Sequence, residues 1–169
     1  PTTQKTLTLM QEGDTLTVAS GRTLELKGQA AWTNETLLTR GGFGTDGYSL
    51  DVAGTLDAQY YTVSYLKGPT DGFGVDLQST ATVLNLANGT FNNYQNTGLT
   101  TDTYLRVHSN LIGALSPTKD FALLTFTQAG AGAPEYSVTE SGGTPGAGYW
   151  LFSLTACTGG WADCEASDL

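Results

Sequence analysis

The chain has 169 residues, with 7 basic against 16 acidic side chains and a net charge of −9. Only 14% of its residues are charged, while Gly occurs 22 times and Thr 28 times; an ordinary globular domain is about 25% charged. Seven scattered cations cannot supply the counterion release on which phosphate binding depends, so nucleic acid and anionic membrane surfaces are excluded as partners.

In chain order, the dominant pattern is a short alternation of period two. Thr6-Leu7-Thr8-Leu9, Thr15-Leu16-Thr17-Val18 and Thr23-Leu24-Glu25-Leu26 each set two apolar side chains on one face and polar ones on the other. Glu12-Gly13-Asp14 and Ser20-Gly21 read as the turns between them. Further strands are expected at Tyr48–Val52, Tyr60–Leu66, Gly74–Leu77, Thr82–Leu86, Thr103–Val107, Phe121–Phe126, Tyr136–Thr139 and Tyr149–Leu154. The best helix candidate, Trp32–Arg40, is short and Thr-rich. The composition and these patterns predict an all-β protein, read as one domain over 1–169: N-terminal strands in 1–44, repeat-like coils in 45–116, and C-terminal strands with a Cys loop in 117–169.

An internal echo narrows the architecture. Thr45-Asp46-Gly47-Tyr48-Ser49-Leu50-Asp51 returns as Thr70-Asp71-Gly72-Phe73-Gly74-Val75-Asp76. A weaker copy, Thr101-Asp102-Thr103-Tyr104-Leu105-Arg106-Val107, follows at a somewhat longer interval. Several short strands per repeat point to a β-solenoid of the parallel β-helix kind, with short irregular coils. The alternative is an antiparallel β-sandwich or jelly roll in which similar turns happen to recur. In a solenoid, the Thr-Asp turns stack at one corner and the Leu/Val pairs form the interior ladder.

Leu56-Asp57-Ala58-Gln59-Tyr60-Tyr61-Thr62-Val63-Ser64-Tyr65-Leu66, followed by Leu86-Ala87-Asn88-Gly89-Thr90-Phe91-Asn92-Asn93, resembles the β-solenoid repeat segments of large secreted bacterial surface proteins of the adhesin type. Gly148-Tyr149-Trp150-Leu151-Phe152 is similar to their closing segments. The resemblance covers about residues 45–155 and implies a parallel β-helix used for adhesion or extracellular scaffolding, with no catalysis. Cys157 and Cys164 depart from that pattern.

Those two cysteines stand apart from any histidine, and two thiolates do not complete a tetrahedral metal site. They are expected to form a disulfide closing a small loop, contributing about 2–3 kcal/mol and implying an oxidising, extracellular or cell-surface location. The chain opens on Pro1 and not on Met, which reads as a mature or excised product. No signal segment is visible, and no run reaches the roughly 18 apolar residues of a membrane span. Asn34-Glu35-Thr36 and Asn88-Gly89-Thr90 fit the glycosylation sequon at Asn34 and Asn88.

Chemistry is sparse. The single histidine, His108, has no Gly-x-Ser-x-Gly elbow to serve, and it faces solvent if Leu105 and Val107 face the core. No catalytic residue is assigned and no cofactor is required. Equivalent repeat positions would place Asp51 one rung from Asp76, and Asp46 one rung from Asp71, about 4.8 Å apart. Such carboxylate pairs recruit a cation, here Ca²⁺, or shift one pKa upward. A β-helical polysaccharide lyase would pair them with Lys67 or Arg106. Trp32, Tyr60, Tyr61, Trp150 and Trp161 are candidate glycan or partner contacts, since exposed aromatics stack on sugars and anchor interfaces. Leu7 and Leu9, on a regular strand near the N-terminus, form a candidate edge for strand addition.

The expected function is that of an extracellular structural or adhesive surface protein, a filament or scaffold subunit that partners other copies of itself or neighbouring repeats of a longer chain. A carbohydrate-binding module is the alternative, and a polysaccharide lyase a more distant one.

Overall fold

Alternating Thr and Leu cannot bury both faces, so each short strand needs a neighbouring rung to complete its apolar side. The computed structural model describes residues 4–9, 13–30, 35–42, 47–67, 72–95, 102–108, 110–111, 124–127, 134 and 136–141. Within them run the strands β1 (Lys5–Leu9), β2 (Thr15–Val18), β3 (Thr23–Lys27), β4 (Thr36–Arg40), β5 (Ser49–Val52), β6 (Thr55–Gln59) and β7 (Tyr61–Ser64). The series continues with β8 (Phe73–Leu77), β9 (Thr82–Asn85), β10 (Gly89–Asn92), β11 (Thr103–His108), β12 (Thr125–Thr127) and β13 (Tyr136–Ser141).

As far as β11 the strands are dealt in rotation to three sheets, and β12 and β13 then join the first and second. The first sheet is ordered β1-β4-β7-β10-β12, the second β2-β5-β8-β11-β13 and the third β3-β6-β9. Every pairing between these strands is parallel. The chain therefore winds as a β-solenoid, and the antiparallel sandwich is set aside. Coil length varies: the step from Thr36 to its partner Tyr61 is shorter than that from Thr90 to its partner Thr125.

Register turns the sequence alternation into interior ladders. In the first sheet Leu7, Leu38, Val63, Phe91 and Phe126 stand in line. In the second, Leu50, Val75 and Leu105 form one line, with Val52, Leu77 and Val107 beside it. All of these except Leu7 are buried. Aromatic rings fill the wider coils, with Phe91 stacked on Phe126 at 5.1 Å and edge-on to Tyr61 at 6.0 Å between centroids. Buried tyrosine hydroxyls then satisfy themselves on the backbone: Tyr48 donates to the Leu38 carbonyl (2.9 Å), Tyr61 to Leu86 (3.2 Å) and Tyr104 to Thr127 (2.9 Å).

Corners repeat as well. Tyr60 and Asn88 precede the aligned strands β7 and β10, Tyr65 and Asn93 follow them, and all four adopt positive φ, between 52° and 64°. Asn accepts this conformation readily, while Tyr adopts it at a cost of about 1–2 kcal/mol. At the corner between the second and third sheets, a Cβ on Gly54 would run into the Ala19 and Arg22 carbonyls. Gly54 donates its own amide to Val18 (2.8 Å), so the chain turns there in direct backbone contact with the coil beside it.

Three expectations change. Residues 36–40 of the helix candidate form β4, because Thr36 and Leu38 are drawn into the interior of the first sheet. Alternation does not announce strands β6 and β10; of the strand expected at Phe121–Phe126, the described part is strand from Thr125 onward, and 121–123 lie outside the described residues. The third repeat copy pairs one residue out of the expected step. Thr103, not Tyr104, lies opposite Phe73, and Asp76 therefore meets Arg106 in place of Val107. The expected strand at Tyr149–Leu154 lies outside the described residues.

Candidate functional site

A solenoid keeps its inward positions for packing, which leaves its outward faces, corners and ends to carry function. The three outward faces differ in chemistry. On the third sheet, Glu25 lies opposite Asp57, and Lys27 on the same face bonds Asp57 at 2.5 Å and lies 3.9 Å from Glu25. The hydrogen bond to Asp57 raises the Lys27 pKa above its ordinary value. Leu84 stands exposed there, 51% accessible.

The second sheet carries the expected carboxylate row. Asp51 and Asp76 do occupy adjacent rungs. The next rung supplies Arg106, whose Nε and Nη2 donate to the two Asp76 oxygens at 2.9 and 2.7 Å, while its guanidinium lies 3.6 Å from the centre of the Phe73 ring. This bidentate geometry neutralises Asp76 and fixes the guanidinium plane. An arginine held this way stays protonated and clips two coils together. Among the described residues no group of three His, Cys, Asp or Glu side chains gathers as a metal site.

The first sheet presents a different surface. Between its inward residues stand Thr6, Leu37, Thr62, Thr90 and Thr125 in one rank; in the next, Thr8 lies opposite Thr39, and a buried Ser64 opposite Asn92, itself opposite Thr127. None of these ten is charged. Ser64 donates to the Asn92 side chain, and Thr62 donates to Glu35 at 2.5 Å, at the margin just before β4. Pairing along this sheet shows no register shift, whereas the third sheet slips between Leu56 and Asp57.

The remaining candidates divide as follows. Tyr61 is buried and belongs to the core, and Tyr60 is half-buried at its corner. His108 is half-buried beyond Val107, and its Nδ1 accepts the Asn110 amide at 3.3 Å. Asn88 is half-buried at a left-handed corner, where its carbonyl accepts the Tyr61 amide at 3.4 Å. Asp102 is buried against Gly72, and Lys67 is half-buried, its amide donating to Tyr48 at 2.7 Å. Asp46, Asp71, Trp32, Asn34, Trp150, Trp161, Cys157 and Cys164 lie outside the described residues.

Among the described residues the first coil forms one edge of all three sheets, with β1, β2 and β3 each paired on one side only. Leu7 is 40% exposed, while its ladder neighbours Leu38 and Val63 are 0% and 1% exposed. Leu9, Leu16 and Leu24 are partly buried against the core. No helix in the described residues is long and apolar enough to cross a membrane.

The internal repeat gave the adjacent rungs of Asp51 and Asp76. Sequence pattern missed the Arg106 clip, which depends on a one-residue slip, and the uncharged ranks, which appear only once five strands are known to share one sheet. Comparison with protein-family models, curated proteins and solved structures gives no match, so the chain is assigned to no family.

Proposed function

We propose that this chain is a structural module of an extracellular surface protein, a β-solenoid segment that builds a longer rod or filament by stacking coil on coil. The observation that supports this most is the first rung of the first-sheet ladder, where Leu7 remains 40% exposed beside a fully buried Leu38. A parallel rung completes its apolar layer and its backbone hydrogen bonds only when another rung lies on it. The occupant is a coil of the same kind, from a second copy or from further repeats of a longer chain. The low charge accords with a scaffolding role.

Negative-stain microscopy with light scattering tests the reading. Purified chain is expected to form rods or end-to-end oligomers, and removal of residues 1–10 is expected to reduce them. A truncated chain that assembles as well as the full one would sink the proposal.

A further inference from the structure

The neutral face of the first sheet is not needed by the stacking proposed above, and it calls for a ligand of its own. The ten rank positions carry seven threonines, one serine, one asparagine and one leucine; nine are half-buried or exposed, and the serine, Ser64, is buried. In a chain of net charge −9 whose other two outward faces hold Asp51, Asp76, Arg106, Glu25, Lys27 and Asp57, these ranks carry no charged residue, and a neighbouring charge, Glu35 just before β4, accepts from Thr62.

Its geometry is that of a lattice. Rungs recur about every 4.8 Å across the strands, and like-facing residues about every 6.6 Å along them. The register is unbroken from β1 to β12. Threonine is β-branched, so its χ1 is restricted and each position offers a methyl and a hydroxyl in a repeated orientation. The methyl groups desolvate at little cost, while the hydroxyls both donate and accept. No rank position is itself charged; the Glu35 carboxylate meets the ranks at Thr62, whose hydroxyl it holds.

Two ligand classes suit a periodic neutral surface. Polysaccharides are gripped by aromatic stacking. Here the aromatic residues of the first-sheet strands, Tyr61, Phe91 and Phe126, all point inward and are buried. The remaining class is water itself in an ordered, crystalline array, which presents repeated donors and acceptors without charge. We infer that the Thr62–Thr90–Thr125 and Thr8–Thr39 ranks of the first sheet bind an ice surface.

Nanolitre osmometry on the full chain tests this, with ice-crystal shape recorded in the same drop. The wild-type chain is expected to open a gap between melting and freezing points and to facet the crystals. Thr90→Lys and Thr125→Lys are expected to abolish most of that gap, while Thr17→Lys, on the exposed outward face of the second sheet, retains it. Circular-dichroism melts establish that each variant is folded. A wild-type chain that neither facets ice nor opens a gap overturns the inference, as does an undiminished gap in folded Thr90→Lys. Sedimentation separates the competing occupant: a dimer lost in Thr90→Lys, without ice shaping by the wild type, would make the face an interface between copies. This outcome is independent of filament formation, since stacking uses the coil ends.

Discussion

Leu7 and Leu38 are adjacent members of one ladder and differ mainly in what lies on them, which makes Leu→Ala at each an internally controlled experiment. Leu38 is completely buried between the rungs of β1 and β7. Its truncation removes the branched end of the side chain and leaves a cavity walled on both sides, which costs about 2–5 kcal/mol. Leu7 has a rung on one side only and keeps 40% of its surface in water. Full burial of a leucine is worth about 1.5–3 kcal/mol. A side chain little more than half covered, in a site able to relax toward solvent, should therefore cost about 1 kcal/mol on the same scale. Urea unfolding of dilute chain, followed by circular dichroism and tyrosine fluorescence, compares the two midpoints. At concentrations where copies stack, the Leu7→Ala loss should grow toward that of Leu38→Ala. Equal losses in dilute monomer would refute the open first rung and the stacking reading that rests on it.

Other consequences follow from the same packing. Gly89→Ala places a Cβ into the Tyr61 ring, whose hydroxyl is anchored on Leu86, so overpacking should cost about 1–3 kcal/mol; a melt unchanged from wild type would contradict the contact. Burial pushes the Tyr48 and Tyr61 hydroxyls well above their ordinary pKa and that of Tyr104 up to about 12. Folded tyrosines thus hold protons that unfolded ones release near pH 10. The tyrosine contribution to stability should be constant below about pH 10 and fall as pH rises toward 12, with Tyr104→Phe flattening the slope in alkaline melts followed by tyrosinate absorbance. Because Arg106 already neutralises Asp76, neither calcium nor EDTA should move the wild-type melting temperature. Arg106→Met leaves Asp51 and Asp76 facing each other without it and should cost about 1 kcal/mol. A calcium-dependent rise in the wild-type melt would show that the carboxylate row holds a cation.

The strands were legible where inward Leu or Val alternates with Thr, because each such residue states its face locally. The repeat of Asp51 at Asp76 was legible for the same reason. What escaped was set by neighbours. Thr36–Arg40 has two adjacent leucines and no clean period, and only a ladder waiting at Leu7 and Val63 decides that Leu38 points inward. Gly89–Asn92 carries a glycine that ordinarily weakens a strand, yet that glycine makes room for the Tyr61 ring. The left-handed corners are announced at Asn88 and Asn93, but their partners one coil earlier are Tyr60 and Tyr65, residues with no preference for that conformation. The third copy shows the limit most clearly. Matching Tyr104 to Phe73 by type makes the step one residue too long, because the hydrogen-bonded register sets Thr103 opposite Phe73. A slip of one reverses every facing, and so it converts Arg106 from an unassigned cation into the partner of Asp76.

Threonine is a good strand former, and this preference could by itself account for a threonine-rich sheet. It does not account for where the charges are. Thr15, Thr17, Thr23, Thr55 and Thr82 occupy the second and third sheets, where they stand alongside Asp51, Asp76, Arg106, Glu25, Lys27 and Asp57. Strand preference acts on all three sheets alike, so it cannot keep ions off the ranks of one of them. A reciprocal exchange separates preference from selection for a neutral surface. Glu25→Thr on the third sheet and Thr90→Glu on the first are both outward substitutions, and each should change stability by no more than about 0.5 kcal/mol. If the first face is neutral because it meets ordered water, Thr90→Glu removes ice shaping while its melting temperature stays near that of the wild type, and Glu25→Thr leaves both unchanged. A large loss of stability in Thr90→Glu would instead show that packing at this position excludes the charge, and the neutral ranks would then need no ligand to explain them.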